Sequence, residues 1–160
     1  MEHIPQSNQG VISNGIHHLQ NDKLVLLGLV GYINPELIFT SYGEAERALD
    51  TPNHPLLEGF SLQSNRDTNV YNMTLRIQKP ETYMFERALQ ASGYSPEDCV
   101  MIGDDWNDVL GAQKVGMKTI YISRVEKEDD KYFNPIADGK IKPDYTVQKG
   151  DIRALTDILI

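Results

Sequence analysis

The sequence lacks the features that mark secreted and membrane proteins. Its 160 residues contain one cysteine, Cys99, so an internal disulfide is excluded. It has no run of about 18 apolar residues, which a membrane span would need. Its amino terminus also lacks a basic region followed by an apolar stretch, so no signal peptide is predicted. These absences predict a cytoplasmic protein with no membrane partner.

Basic residues are also scarce. The chain has 15 lysines and arginines against 23 acidic residues, a net charge of −8, and the basic residues form no local cluster. A negatively charged surface repels nucleic acids and anionic lipids, so neither is expected as a partner. The 40% hydrophobic content is enough for the core of one domain, predicted over residues 1–160.

Three aspartates follow an apolar, strand-like run at residues 99–103. Asp104, Asp105 and Asp108 lie between this run and an amphipathic helical pattern. The carboxyl end of a buried parallel strand is where open α/β sheets bind ligands, and carboxylates suit Mg²⁺. The alternative is that the acids cap the helix, but one cap needs only one acid. The excess of acids favours a Mg²⁺ site formed by all three.

Strand-like and helix-like segments alternate along most of the chain. Short apolar or β-branched runs near Val11, Leu37, Cys99 and Ile120 are each followed by turn residues or a helical pattern. Alternation of this kind predicts a three-layer α/β fold with a mostly parallel, Rossmann-like sheet flanked by helices.

Residues 45–78 break this alternation and are predicted to be an inserted segment. Apolar residues at 71, 73, 75 and 77 alternate with polar ones, a period of two that predicts a strand. Pairing of residues 59–64 with 70–77 would form an antiparallel β-hairpin. Such a hairpin would serve as a small cap over the site, as an extension at the edge of the main sheet, or as a dimer arm.

Three short motifs occur in an informative order, and together they resemble those of the haloacid-dehalogenase-like hydrolases. They are Ser13-Asn14-Gly15 after a strand, Lys79-Pro80 before a helix, and the acidic loop 103–108 after another strand. The resemblance covers most of the chain outside the insertion. It implies that Ser13, Asn14 and Gly15 bind a phosphoryl group, that Ser13 and Lys79 are catalytic, and that the acidic loop binds Mg²⁺.

Elementary chemistry agrees with these roles. A serine hydroxyl and the N–H groups at a helix start donate hydrogen bonds to phosphate, and a lysine ammonium is a compact positive charge. In isolation, however, Ser13-Asn14-Gly15 also fits an ordinary turn, and Lys79 fits a solvent-facing helix start.

One departure from the family pattern is severe. The family's nucleophile lies in an Asp-x-Asp motif on a central strand that precedes the serine motif, and this sequence contains no Asp-x-Asp. The remaining groups cannot replace an in-line nucleophile, so the isolated chain is expected to be inactive. The sheet is expected to be incomplete at that strand. Either the strands near Val11 and Cys99 then close up, or a second copy or a missing amino-terminal segment fills the gap.

The leading hypothesis is therefore a Mg²⁺-dependent phosphatase for a small phosphorylated metabolite, with the nucleophile outside this sequence. The alternative is a non-catalytic binding or interaction module derived from the same family. A receiver domain also combines paired acids, Ser or Thr and Lys on a parallel sheet, but its acids come early and its lysine last. The order in this chain is the opposite.

Overall fold

A computed structural model describes residues 4–123, 135–136, 138–148, 151 and 153–159. The chain divides into an amino-terminal unit, Met1–Gly93, and a carboxyl-terminal unit, Tyr94–Ile160. The single domain over 1–160 stays a prediction. The charged stretch from Arg124 to Lys142, whose composition predicts a solvated loop, lies mostly outside the described residues.

From residue 4 to Gly93, the amino-terminal unit contains two parallel strands and four α-helices, besides short 3-10 turns. Val11 pairs with Ile38, and Ser13 pairs with Thr40. The elements are β1 (Val11–Ser13), α1 (His17–Leu26), β2 (Ile38–Thr40), α2 (Ser41–Asp50), α3 (Arg66–Ile77) and α4 (Tyr83–Ser92). The helix α1 connects the two parallel strands, as the alternating sequence pattern indicates.

Local signals account for several helix ends. The Thr40 hydroxyl accepts a hydrogen bond from the Gly43 N–H and so caps the start of α2. At the other end of the unit, Gly93 has a φ of 73° and ends α4 in the left-handed conformation that glycine adopts without strain. The helix α4 begins at Tyr83, later than the start near Pro80 that the sequence suggested.

The predicted β-hairpin is wrong, because residues Arg66–Ile77 form the helix α3. The Asn65 side chain accepts a hydrogen bond from the Thr68 N–H and starts this helix. The apolar residues buried on α3 have helical spacing and pack with Ala45 of α2: Val70, Met73 and Ile77. Positions 73 and 77 fit both a period of two and a helical face, so the alternating pattern was ambiguous. Packing against α2 selects the helix.

A second hydrophobic cluster lies under the parallel strand pair. It consists of Leu37, Phe39 and Met84, with Ile12 packed against it. Met84 is fully buried, so α4 is anchored on the β1–β2 sheet through its first turn. This anchoring places the segment before α4, which carries Lys79, beside the strands.

Within the described residues of the carboxyl-terminal unit, three parallel strands form a sheet in the order β3-β4-β5. The elements are β3 (Val100–Gly103), α5 (Trp106–Lys114), β4 (Lys118–Ser123), β5 (Tyr145–Gln148) and α6 (Arg153–Leu159). The Asp144 carboxylate accepts hydrogen bonds from the Thr119 N–H at 2.7 Å and from its hydroxyl at 2.8 Å, which ties β5 to β4. The α/β fold class with parallel strands is confirmed.

The helix α5 contacts β3 and β4, and the buried side chains of this unit include Val109 and Ala112 of α5, Ile120 of β4 and Val147 of β5. The start of α5 follows directly after the carboxyl end of β3, as predicted from the sequence. Among the described residues, every helix is too short or too polar to cross a bilayer.

Candidate active site

Ser13 is the last residue of β1, and α1 begins four residues later at His17. The residue before α1, Ile16, offers no side-chain cap to the helix. The N–H groups of the first turn of α1 therefore receive no hydrogen bond from a capping side chain, and such groups favour an anion. Ser13, Asn14 and Gly15 connect the strand to this helix start.

Asn14 joins the serine loop to Lys79, which lies 65 residues further along the chain. Its Oδ1 accepts a hydrogen bond from the Lys79 N–H at 2.7 Å, and its Nδ2 donates to the Lys79 carbonyl at 3.1 Å. The Lys79 Nζ donates to the Ile12 carbonyl on β1 at 3.1 Å. The structure thus brings together the two motifs of the amino-terminal unit, while their catalytic roles stay predictions.

The acids of the carboxyl-terminal unit lie at the end of β3, and two of them form a capping box at the start of α5. Asp105 is the N-cap and accepts hydrogen bonds from the N–H of Asn107 at 2.8 Å and from its side-chain amide at 2.7 Å. Asp108 accepts from the Asp105 N–H at 3.4 Å. The capping interpretation therefore accounts for part of the acidic excess.

Asp108 is 5% exposed, and its carboxylate lies directly against Gly103. A Cβ added at Gly103 would overlap the Asp108 side chain, so the carboxylate occupies space that only a glycine leaves open. Within the described part of the chain, no three His, Cys, Asp or Glu side chains converge on one point. Mg²⁺ usually takes one or two carboxylates together with water and phosphate oxygens. Asp105 and Asp108 both take part in the capping box, and the roles of Asp104, Asp105 and Asp108 as metal ligands stay predictions.

Sequence reasoning missed a cluster around Glu44, which is 8% exposed on α2. Glu44 forms an ion pair with Arg47, accepts a hydrogen bond from the Tyr83 hydroxyl at 3.1 Å and lies near Arg87. Only the Glu44–Arg47 pair has a local spacing, three residues, that a sequence pattern could reveal. Tyr83 and Arg87 lie on α4 and reach Glu44 only through the fold.

This cluster perturbs the titration of its members. Burial, reinforced by the negative charge of Glu44, raises the pKa of Tyr83 to about 12. The hydrogen bond from Arg47 to Glu44 raises the already high pKa of Arg47. Burial, together with the positive charge of Arg47, lowers the pKa of His54. Tyr83 and His54 are therefore neutral near pH 7, while Arg47 is charged.

A family model and several relatives match this chain, and they agree on the family. The HAD-hydrolase-like family matches residues 76–149. Over 115 residues the chain is 30% identical to a glyceraldehyde 3-phosphate phosphatase of Methanothermobacter thermautotrophicus, a match that covers 71% of this chain and 36% of the relative. The chain spans only part of the curated relatives that it matches.

Two solved structures share the fold. A haloacid-dehalogenase-like protein of unknown function from Agrobacterium tumefaciens matches with a TM-score of 0.61 and 17% identity, over 95% of this chain and 55% of that one. A HAD hydrolase of Bacillus subtilis, solved with bound magnesium, matches with a TM-score of 0.56 and 24% identity, over 92% of this chain and 47% of that one. At these identities, the likeness is one of fold.

Proposed function

Because the chain belongs to the haloacid-dehalogenase-like superfamily, we propose that it carries the phosphate-binding and metal-binding groups of a phosphatase for a small phosphorylated metabolite. The observation that carries the proposal is the contact between the serine loop and Lys79. Asn14 holds the backbone of Lys79 with two hydrogen bonds, and the Lys79 ammonium reaches the Ile12 carbonyl next to Ser13. A hydroxyl, a helix start and an ammonium group at one strand end are the donors that a phosphate needs.

In this proposal each group has a distinct role. The Ser13 hydroxyl and the first N–H groups of α1 donate to the non-bridging oxygens and orient the phosphoryl group. Lys79 offsets the negative charge that the phosphate brings into the site. These contributions position the substrate and stabilise its charge, and none of them forms a bond to phosphorus.

Asp104 and Asp108 would hold Mg²⁺, and Asp105 would keep α5 capped beside them. When bound, the ion would supply positive charge of the kind that stabilises phosphate oxygens in metal-dependent phosphatases. The magnesium-bound hydrolase of Bacillus subtilis supports this assignment through its shared fold. The Asp108 carboxylate lies directly against Gly103, and this fixed position would keep it in place as a ligand for Mg²⁺.

The chain contains no Asp-x-Asp motif to supply the nucleophile. Covalent phosphoryl transfer needs an activated nucleophile in line with phosphorus, so we expect this chain alone to bind phosphate without turning over phosphate esters. The non-catalytic module differs from this proposal because it has no need of a phosphate site at Ser13 and Lys79.

Isothermal titration of the 160-residue chain with inorganic phosphate in the presence of Mg²⁺ tests the proposal. Loss of one charge-assisted hydrogen bond costs about 1.5–3 kcal/mol, so Lys79→Met should weaken phosphate binding about tenfold or more. The matched control is Lys23→Met, because Lys23 is an exposed lysine of the same unit and should not affect binding. Ser13→Ala should weaken binding less than Lys79→Met, because it removes a neutral donor.

The outcomes separate the hypotheses. No saturable phosphate binding, or an equal loss in Lys79→Met and Lys23→Met, would contradict the proposed site and favour the non-catalytic module. If the chain alone turned over p-nitrophenyl phosphate and Lys79→Met abolished that activity, the expectation that catalysis depends on a nucleophile outside this sequence would be contradicted.

Association with a second copy, expected from the incomplete sheet, stays a prediction. The helix α1 has no buried residue, and the side chains of Val25, Leu26 and Leu27 at its end are 63%, 85% and 69% exposed. Sedimentation velocity of the chain at several concentrations measures whether copies associate.

A further inference from the structure

A groove of about 450 Å³ opens between α4 and the inserted segment of the amino-terminal unit. Arg47 of α2 and His54, in the turn that follows, line one side, while Tyr83 and Arg87 of α4 line the other. We call it the arginine groove. None of the residues predicted from the sequence to form the active site lines it.

The two guanidinium groups that line the arginine groove share one buried carboxylate, that of Glu44, which does not itself line the groove. Glu44 accepts from Arg47 Nε at 3.2 Å and from Arg47 Nη2 at 2.6 Å. Its Oε2 also accepts from the Tyr83 hydroxyl at 3.1 Å, so Arg47 and Tyr83 take up most of its accepting capacity. The one carboxylate therefore serves two cations and a hydroxyl.

Arg87 is the cation that this arrangement leaves under-satisfied. Its Nε lies 3.6 Å from Glu44 Oε2, beyond hydrogen-bond distance, and donates to no acceptor within the described residues although it is buried. Its Nη1 donates to the Gln90 side chain at 2.7 Å, and its guanidinium carbon lies 6.0 Å from the centre of the Phe39 ring. A buried donor without an acceptor costs free energy, so this guanidinium is held less completely than that of Arg47. The Arg87 side chain is still 30% exposed and lines the groove, where a bound acceptor could contact it.

His54 adds a further donor. Its Nδ1 accepts a hydrogen bond from the Leu56 N–H at 3.2 Å, so the proton of the neutral ring lies on Nε2. Glu86 is the one acid among the lining residues, and it is exposed. Solvent screens the exposed charges of Glu86 and Arg47 alike, so the less exposed guanidinium of Arg87 retains the strongest attraction for an anion.

We propose that the arginine groove binds the oxyanion group of a small molecule, a carboxylate or a phosphate, through Arg47 and Arg87. The planar guanidinium fork pairs with both groups, and the groove volume is in the range of small-molecule sites. The inserted segment supplies Arg47 and His54, which gives that segment a role in ligand binding that does not depend on the proposed phosphatase site.

Two-dimensional NMR of the arginine Nε–H signals tests this proposal in the full chain, with inorganic phosphate and with citrate as separate probes. We expect saturable shifts of the Arg47 and Arg87 signals with at least one probe. Binding should weaken about tenfold in Arg47→Gln and in Arg87→Gln, the effect of losing one charge-assisted hydrogen bond. Arg66→Gln is the matched control, because Arg66 also pairs with a carboxylate, Asp50, but lies outside the groove.

The variants also separate this groove from the site at Lys79. Binding at the arginine groove should persist in Lys79→Met. If Lys79→Met abolished the phosphate-induced shifts of the Arg47 and Arg87 signals, those shifts would belong to the proposed active site and not to the groove. Shifts with citrate alone would identify a carboxylate ligand, and shifts with phosphate alone a phosphorylated one. Absence of saturation with both probes, or an equal effect of Arg66→Gln, would overturn the proposal. The Arg47 side chain is 41% exposed, so the Arg47→Gln variant should fold. The test therefore stays valid even if the Arg87→Gln variant does not fold.

Discussion

Truncation of two side chains on α3 tests which secondary structure this segment adopts. Met73 is fully buried, whereas Leu75 is 46% exposed. In a β-strand both side chains would point to the same face, and their truncation to alanine would have similar effects. In the helix they point to different faces, so Met73→Ala should be much more destabilising than Leu75→Ala.

The structure supplies the expected magnitudes. Met73 packs in the cluster formed with Ala45, Val70 and Ile77, so Met73→Ala should lower the free energy of unfolding by about 2–5 kcal/mol. Leu75 loses little buried surface because nearly half of it already contacts solvent, and Leu75→Ala should cost at most about 1 kcal/mol. With a urea dependence of about 2 kcal/mol per molar, Met73→Ala should lower the midpoint by about 1 M or more.

Urea unfolding followed by far-ultraviolet circular dichroism measures both midpoints. Because the chain has two units, hydrogen exchange of the α3 amides should accompany it as a probe of this unit alone. Equal destabilisation by the two substitutions, or slow exchange in the alternating pattern of a strand edge, would refute the helical assignment and the packing argument.

Three further predictions concern polar contacts. Asn14→Ala should lower the stability by about 1–2 kcal/mol, because two hydrogen bonds to the Lys79 backbone are lost, and urea unfolding measures this change. Gly103→Ala should cost about 1–3 kcal/mol because a Cβ there collides with Asp108, while Gly31→Ala, with open space at its Cβ, should be near neutral in the same assay. The raised pKa of Tyr83 means that the folded state keeps a proton that the unfolded state releases, so stability should fall as pH rises from 10 to about 12. Urea unfolding at several pH values should show that Tyr83→Phe flattens this fall, and an unchanged slope would contradict it.

Motifs at strand ends were readable from the sequence because they depend on local chemistry. The run 99–103 followed by acids predicts a strand and a helix start, and the structure has β3 and α5 there. The same local chemistry left two interpretations of the acids, since capping and metal binding both use a carboxylate after a strand. Only the hydrogen bonds of Asp105 and Asp108 identified the capping box.

The inserted segment shows where local patterns fail. An alternation of apolar residues at 71, 73, 75 and 77 predicted a strand, but the partner that decides the matter is α2, about 25 residues earlier. The arginine groove depends on contacts between Glu44 and α4 at even longer separations, for which a single sequence contains no periodic signal.

By itself, the sequence determined the alternating α/β order, the parallel strands and the positions of Ser13, Lys79 and the acidic loop at strand and helix ends, because hydrophobic period and turn chemistry are local properties. Only the tertiary structure decided that the insertion is helical, that Asn14 holds the backbone of Lys79, and that two arginines share one carboxylate. These features arise from contacts between residues distant in sequence, and their free energies come from burial and hydrogen bonding that exist only once the chain has folded.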